Sequence, residues 1–204
     1  MKRLVLFLLV LILAFSAYWF IFKPKEHGPK GPKQAPIALK KHSAGFNSSI
    51  DNLISAYLNM KNAFVEDDTA NIKKHAAAFI ALIDSIPITE LKNDTATIFE
   101  TVQANINDIR SNAQSLVQQV NITEMRKDFS MVTEMMYPSF FKAINYEGPK
   151  LYLQNCPMAF GEDNGANWIS NSEEVINPYL GKVHPEYKAT MLHCGEVKDT
   201  IKAQ

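Results

Sequence analysis

Between Phe46 and Met136 apolar residues recur every three or four positions, and short polar breaks divide the run into four pieces. That period puts them on one face of an α-helix, so such a chain must pack helix against helix to bury them. Phe46, Ile50, Leu53, Ile54, Tyr57, Leu58 and Phe64 make the first stripe. Glu66-Asp67-Asp68 interrupts it, with Asp68 placed to cap the next helix. Ile72, Ala76, Phe79, Ile80 and Ile83 form the second stripe, which closes near Pro87. The third runs from Leu91 through Ile98, Phe99, Val102, Ile106, Ile109, Ala113, Leu116 and Val117, and Asn93-Asp94-Thr95 offers it a fresh cap after a short turn. Asn121 with Glu124 has capping-box spacing and opens the fourth, carried by Met125, Phe129, Val132 and Met136 until Pro138 ends or kinks it. Four helices on short connections predict a mainly α protein, an antiparallel up-down four-helix bundle over residues 43–146.

Upstream, Lys2 and Arg3 precede an unbroken apolar run of 19 residues, Leu4 to Phe22. A helix of that length spans about 28 Å, close to the thickness of a bilayer core. Residues 1–22 read as a signal-anchor or signal peptide. Ala14-Phe15-Ser16 offers a cleavage site, but Tyr18, Trp19 and Phe20 carry the apolar run past it and favour an uncleaved helix. Residues 23–42 turn rich in Pro, Gly and Lys, and four prolines there rule out regular helix, leaving a tether. His27 and His42 read as isolated side chains within it. The domain is expected in the periplasm, held to the inner membrane through residues 4–22, a compartment in which cysteines tend to pair. Lys plus Arg equals Asp plus Glu at 21 each, which leaves no basic surplus for nucleic acid.

The helical period fades after Ile144, and residues 147–204 read as a small Cys/Met-bearing, β-hairpin-like element packed on the bundle. Both cysteines of the chain lie in it, Cys156 with Met158 two positions on and Cys194 with Met191 three positions before. Leu151 to Gln154 suits a strand, and Asn164-Gly165 a tight turn. Ser170 and Glu173 have capping-box spacing for one short helix closed by Asn177-Pro178, and Met191 to Gly195 reads as a returning strand. No enzyme is indicated. The chain has no Gly-x-Ser-x-Gly elbow and no His-Glu-x-x-His, and its glycines lack the order and the Lys-Ser/Thr of a phosphate loop. The bundle has no Glu-x-x-His pair for a di-iron site, and Met125, Met131, Met135 and Met136 read as core filler.

Thiolate and thioether sulfurs are soft donors suited to Cu(I) or Ag(I). Cys156 and Met158 flank a proline that fixes the local turn, and Met191 and Cys194 supply a second sulfur pair where the two segments are neighbours. The candidate metal ligands are therefore Cys156, Met158, Met191 and Cys194. His193 is a further nitrogen donor, although adjacent strand residues point to opposite faces. The competing reading is a Cys156–Cys194 disulfide, whose loop of 39 residues would stabilise the fold by about 4 kcal/mol in the chain-entropy account. One molecule cannot hold both at once; a site reduced to bind and oxidised to release reconciles them. A reactive thiol is a third reading, set back by the lack of a second cysteine at redox-motif spacing.

Taken in order, Cys156-Pro157-Met158-Ala159, Gly165-Ala166, Trp168-Ile169-Ser170, Asn177-Pro178-Tyr179 with Gly181, Met191-Leu192 and Cys194-Gly195-Glu196-Val197 resemble one signature. It is that of an exported bacterial domain of unknown function, also found attached to periplasmic adaptor subunits of copper/silver efflux systems. The resemblance is close over about 45 residues and extends more loosely to the helices through Arg126 and Phe129. The link from Lys182 to Thr190 is longer than the family's. The resemblance implies a heavy-metal context and an efflux-system or envelope protein as partner. The expected function is an exported accessory protein that binds Cu(I) or Ag(I). The alternative is a non-catalytic envelope interaction domain stapled by the Cys156–Cys194 bridge.

Overall fold

The computed structural model describes residues 41–202. The anchor reading of residues 1–22 and the tether reading of residues 23–40 lie outside the described residues. Among the described residues no helix is long and apolar enough to cross a membrane.

Four helices and a three-stranded antiparallel sheet make up the described chain. Helix α1, Ala44–Val65, starts at Ser43, whose hydroxyl accepts from the Phe46 N–H at 3.1 Å. Its buried stripe is the predicted one, Phe46, Ile50, Leu53, Ile54, Tyr57 and Phe64 among them. Helix α2, Thr69–Asp84, is capped by Asp68 as expected, with the Asn71 N–H at 3.0 Å. A 3₁₀ turn, Ile88–Asn93, tucks Leu91 into the core before α3, Ala96–Gln118, which Thr95 caps through Ile98 N–H. Helix α4 is Ile122–Met135. Asn121 caps it through the Thr123 N–H, while Glu124 turns outward to pair with Lys127 at 2.8 Å. The expected capping box at that start is therefore only half made.

Each helix packs on the next in sequence. The rings of Tyr57 on α1 and Phe129 on α4 stack at 5.1 Å, so the first and last helices also meet in the core. At Tyr137 the backbone leaves helical geometry (φ −123°, ψ 131°) ahead of a cis bond to Pro138, the break expected at that proline. His42, read from sequence as an isolated tether residue, is instead docked. Its Nε2 lies 2.7 Å from the Ile144 carbonyl and its ring 4.4 Å from that of Phe46. An imidazole beside an apolar ring and a carbonyl acceptor gains more by packing than by solvation.

The sheet has strand order β2-β1-β3, with β1 Leu151–Cys156, β2 Ala166–Ser170 and β3 Glu196–Ile201. Two expectations fail here. The returning strand is Glu196–Ile201, not Met191–Gly195, because residues up to Met191 close a 3₁₀ turn and the Cys194 N–H bonds back to the Met191 carbonyl at 3.0 Å. Nor does a helix follow Ser170. Ser170 belongs to β2, its Oγ accepts from the Ser172 N–H, and the carbonyls of Ser172, Glu173 and Glu174 all point at the Gln154 amide (3.0, 3.2 and 3.1 Å). A buried strand amide takes the acceptors that a helix would have used internally.

Two buried polar links join sheet and loop to the helices. The Ile169 N–H donates to Tyr57 Oη at 3.1 Å, Tyr57 Oη lies 2.6 Å from Thr133 Oγ1, and Thr133 Oγ1 donates to the Phe129 carbonyl at 3.1 Å. With Thr133 donating onward, Tyr57 must donate to Thr133, so the chain of donors runs one way from sheet to α4. Burial pushes the Tyr57 hydroxyl well above its usual pKa and keeps it a donor. The second link is Arg126 on α4, only 4 % exposed, which pairs with Asp67 in the α1–α2 turn and donates through Nε to the Pro178 carbonyl at 3.2 Å. Beyond the helices, Tyr137 Oη hydrogen-bonds Asp199 on β3.

Replacing Arg126 by alanine leaves Asp67 and the Pro178 carbonyl without their partner. Urea unfolding is expected to show a loss of about 3–5 kcal/mol; a loss near the surface-pair range, below about 1 kcal/mol, would show that water replaces the guanidinium. The Tyr137–Asp199 link should mark both ends of the pH scale. The hydrogen bond from Tyr137 holds the Asp199 carboxyl below its usual range, and the same bond pushes the tyrosine up to about 12. The depressed carboxyl favours the fold above the carboxylate range, a contribution lost as pH falls through that range. The raised phenol favours it below about 10, a contribution lost as pH climbs towards about 12. The gap in unfolding midpoint between the native chain and Tyr137→Phe should thus be widest near neutrality and close at both extremes.

Candidate functional site

The last residue of β1 and the residues leading into β3 bring the two cysteines together. Asn155 pairs with Glu196 across the ladder, so the chain continues to Cys156 on one side and back through Gly195 to Cys194 on the other. The Sγ atoms lie 3.8 Å apart and both thiols are free. Cys156 is fully buried; Cys194 is partly exposed. Gly195 makes the approach possible. It sits at φ +140°, and a Cβ there would fall 2.5 Å from the Asn155 carbonyl oxygen. Only a residue without a side chain lets the two strands close at this point.

Asn177, fully buried, holds Cys194 in place. Its Nδ2 donates to the Cys194 carbonyl at 2.8 Å, its N–H donates to the Leu192 carbonyl at 2.8 Å, and its Oδ1 accepts from Tyr179 and Leu180 N–H at 2.8 and 3.0 Å. Sequence reasoning took this asparagine for a helix terminator. The signal for its real role was the Asn-Pro pair itself, which favours a side chain that folds back on its own turn. Gln154 was missed as well. It shares a strand face with Cys156, two residues on, and lies opposite Trp168 in register. Gln154 Oε1 and Trp168 Nε1 are buried and without a hydrogen-bond partner among the described residues, an acceptor and a donor on one register pair of that face.

Of the five predicted site residues, Cys156 and Cys194 are in contact. Met158 follows Cys156 by two residues, its carbonyl accepting from the Gly161 N–H at 3.2 Å, and Met191 ends the 3₁₀ turn Lys188–Met191. Both methionines are partly buried against the core. His193 is exposed, with Nδ1 2.9 Å from the Val175 carbonyl, which leaves Nε2 as its available nitrogen. Among the described residues no third His, Cys, Asp or Glu joins the two cysteines to form a metal-holding group.

A sulfur separation of 3.8 Å is far longer than a disulfide bond of about 2.05 Å. It is the distance of two thiols in hydrogen-bonding contact, and it falls in the range of roughly 3.8–4.0 Å that metal–sulfur bonds near 2.3 Å at trigonal or tetrahedral angles would set between two thiolates. Zinc asks for four N, S or O ligands in a structural site, and among the described residues only two come together here. A soft monovalent ion accepts fewer ligands and tolerates thioethers. Burial, and then the contact with Cys156, raise the Cys194 thiol above its usual pKa, so it is a neutral thiol near pH 7 and must lose its proton to ligate.

With that geometry established, the helical part of the chain can be placed. It is similar to a family of unknown function over less than half of the chain. Residues 53–145 match the family described as "Protein of unknown function (DUF3347)". The matched residues take in most of α1 and all of α2, α3 and α4 and stop before β1, so both cysteines fall outside them. No curated protein and no solved structure matches the chain.

The unequal burial of the two thiols yields a direct expectation. In the reduced, folded protein an alkylating reagent should label Cys194 well before Cys156, with one adduct by intact mass, and reach both only in denaturant. Equal rates at the two positions would mean that the β1–β3 end opens readily.

Proposed function

We propose that this chain is an exported, membrane-anchored accessory protein that binds Cu(I) or Ag(I) through Cys156 and Cys194. Met158 and Met191 supply thioether sulfur from the two segments that meet at the thiol pair. The reading rests on one observation, the 3.8 Å approach of two free thiols at the end of a three-stranded sheet. The ion's chemistry fits what surrounds it: thiolates bring charge, thioethers bring softness without charge, and a pair of thiolates suits a monovalent ion better than zinc. The likeness of the 156–197 segment to the domain found on periplasmic copper/silver efflux adaptors supports the same context. A periplasmic location, an inner-membrane anchor over residues 4–22 and an efflux-system or envelope protein partner belong to this proposal. It assigns the protein no catalytic role.

The second reading is a non-catalytic envelope interaction domain closed by a Cys156–Cys194 bridge. Complete burial of Cys156 favours it, because an oxidised pair needs no path for an ion.

Anaerobic titration of the reduced full-length chain against a chromophoric Cu(I) chelator tests the first reading. One ion per chain is expected, with affinity about 100-fold weaker in Cys156→Ser or Cys194→Ser and about tenfold weaker in Met158→Leu or Met191→Leu. Affinity should also rise with pH by about tenfold per unit for each thiol proton displaced. With Trp19→Phe in the background, fluorescence of Trp168 gives a second readout, since its ring lies 3.1 Å from the position a Gly195 Cβ would occupy. Stoichiometry unchanged by Cys156→Ser would sink the proposal. An untreated chain that takes up no alkylating label even in denaturant would establish the bridge instead.

A further inference from the structure

Away from the thiols, a cavity of about 240 Å³ opens at the opposite end of β3. A second concavity, beside Phe46 and Tyr146, holds only about 10 Å³. Six residues of β3 at about 3.4 Å each put roughly 17 Å between the cavity and Cys194, so the two places are chemically independent.

The space lies beside the kink at Tyr137-Pro138. Tyr137, Phe141 and Tyr146 line it together with Thr200 and Ile201. The walls are fixed before any ligand arrives. Tyr137 Oη is committed to Asp199, Tyr146 Oη donates to the Pro149 carbonyl at 2.7 Å, and the Phe141 and Tyr146 rings meet edge to face at 5.0 Å and 84°. Both tyrosine hydroxyls therefore point to protein partners, and what the rings offer to the space is aromatic carbon. The charged lining comes from Lys142 and Lys202. Both are exposed and neither has an ion-pair partner among the described residues. No carboxylate lines the cavity. The nearby Asp199, which feels the charge of Lys142, is already held by Tyr137 and by the Thr200 N–H at 2.7 Å.

A space walled by aromatic rings and edged by two free ammonium groups, with no acid in its lining, selects a flat apolar body that carries one negative charge. We propose that this cavity binds a compact aromatic carboxylate, its ring between Phe141, Tyr146 and Ile201 and its carboxylate at Lys142 and Lys202. The volume admits one or two fused rings.

The probe is 2-naphthoate, titrated into the full-length chain in detergent micelles and followed by naphthoate fluorescence against protein-free micelles. Saturable binding of one probe per chain is expected. Affinity should fall roughly tenfold or more in the Lys142→Glu/Lys202→Glu double variant, and by a similar factor for the uncharged 2-naphthalenemethanol. Thr200→Trp, which fills the space from the exposed side of β3, should abolish binding. Cys156→Ser/Cys194→Ser should bind as the native chain does, which separates this site from the thiol pair. No saturable binding above the micelle blank would overturn the proposal. So would native affinity in the charge-reversed variant, or in Thr200→Trp with an unchanged circular dichroism spectrum.

Discussion

Arg126 is the residue on which the arrangement of this chain hangs. A guanidinium taken almost wholly out of water is costly unless its donors find acceptors in good geometry. Here they come from two distant places, the Asp67 carboxylate in the α1–α2 turn and the Pro178 carbonyl in the loop after β2. Asp67 reaches it from a left-handed backbone conformation, φ 54°, which an aspartate tolerates better than most side chains. One side chain thus ties together α4, the α1–α2 turn and the loop that leads to Cys194. Gly181 and Lys182 reinforce the same seam. The Lys182 N–H donates to the Val65 carbonyl at 2.9 Å, and a Cβ on Gly181 would run into that same carbonyl.

From Pro178 the constraint passes to its neighbour Asn177 and then to the thiols. Asn177 fixes the Cys194 carbonyl and the turn before Tyr179, and Tyr179 in turn bonds the Asn167 carbonyl on β2 at 2.5 Å. The Tyr179 ring lies within 6.0 Å of Trp168, Phe160 and Phe129, so loop, sheet and α4 share one aromatic cluster. A strand end at Cys156 and a turn at Cys194 pinned by Asn177 give a sulfur spacing set by the frame and not by rotamer chance. A metal site needs that preorganisation, because a ligand that must first be ordered spends binding energy on ordering.

The helices were legible because their signals are local. Asp68 caps α2 and Thr95 caps α3 through contacts three residues along the chain, and the stripe from Phe46 to Phe64 buries as its spacing requires. The failures sit where a distant group takes over a local role. Ser170 and Glu173 spell a helix start, yet Gln154, 18 to 20 residues away, takes the carbonyls that follow. Met191 to Gly195 has the composition of a strand, yet the close packing of Gly195 on Asn155 and the bond from Asn177 hold it as a turn. His42 looked like part of a loose tether and is docked on a carbonyl 102 residues away.

What the sequence alone determined is whatever depends on neighbours within one or two helical turns: a mainly helical chain, its caps, the break at Pro138, and a pair of cysteines each close to a methionine. The tertiary structure decided which sulfurs meet, through a ladder register and a glycine at φ +140° that pattern and propensity do not encode. It also decided that the C-terminal element is a three-stranded sheet and not a hairpin. The physical reason is the same in each case. A buried hydrogen-bonding group must find a partner, and nothing in the linear order of residues says from how far away that partner will come.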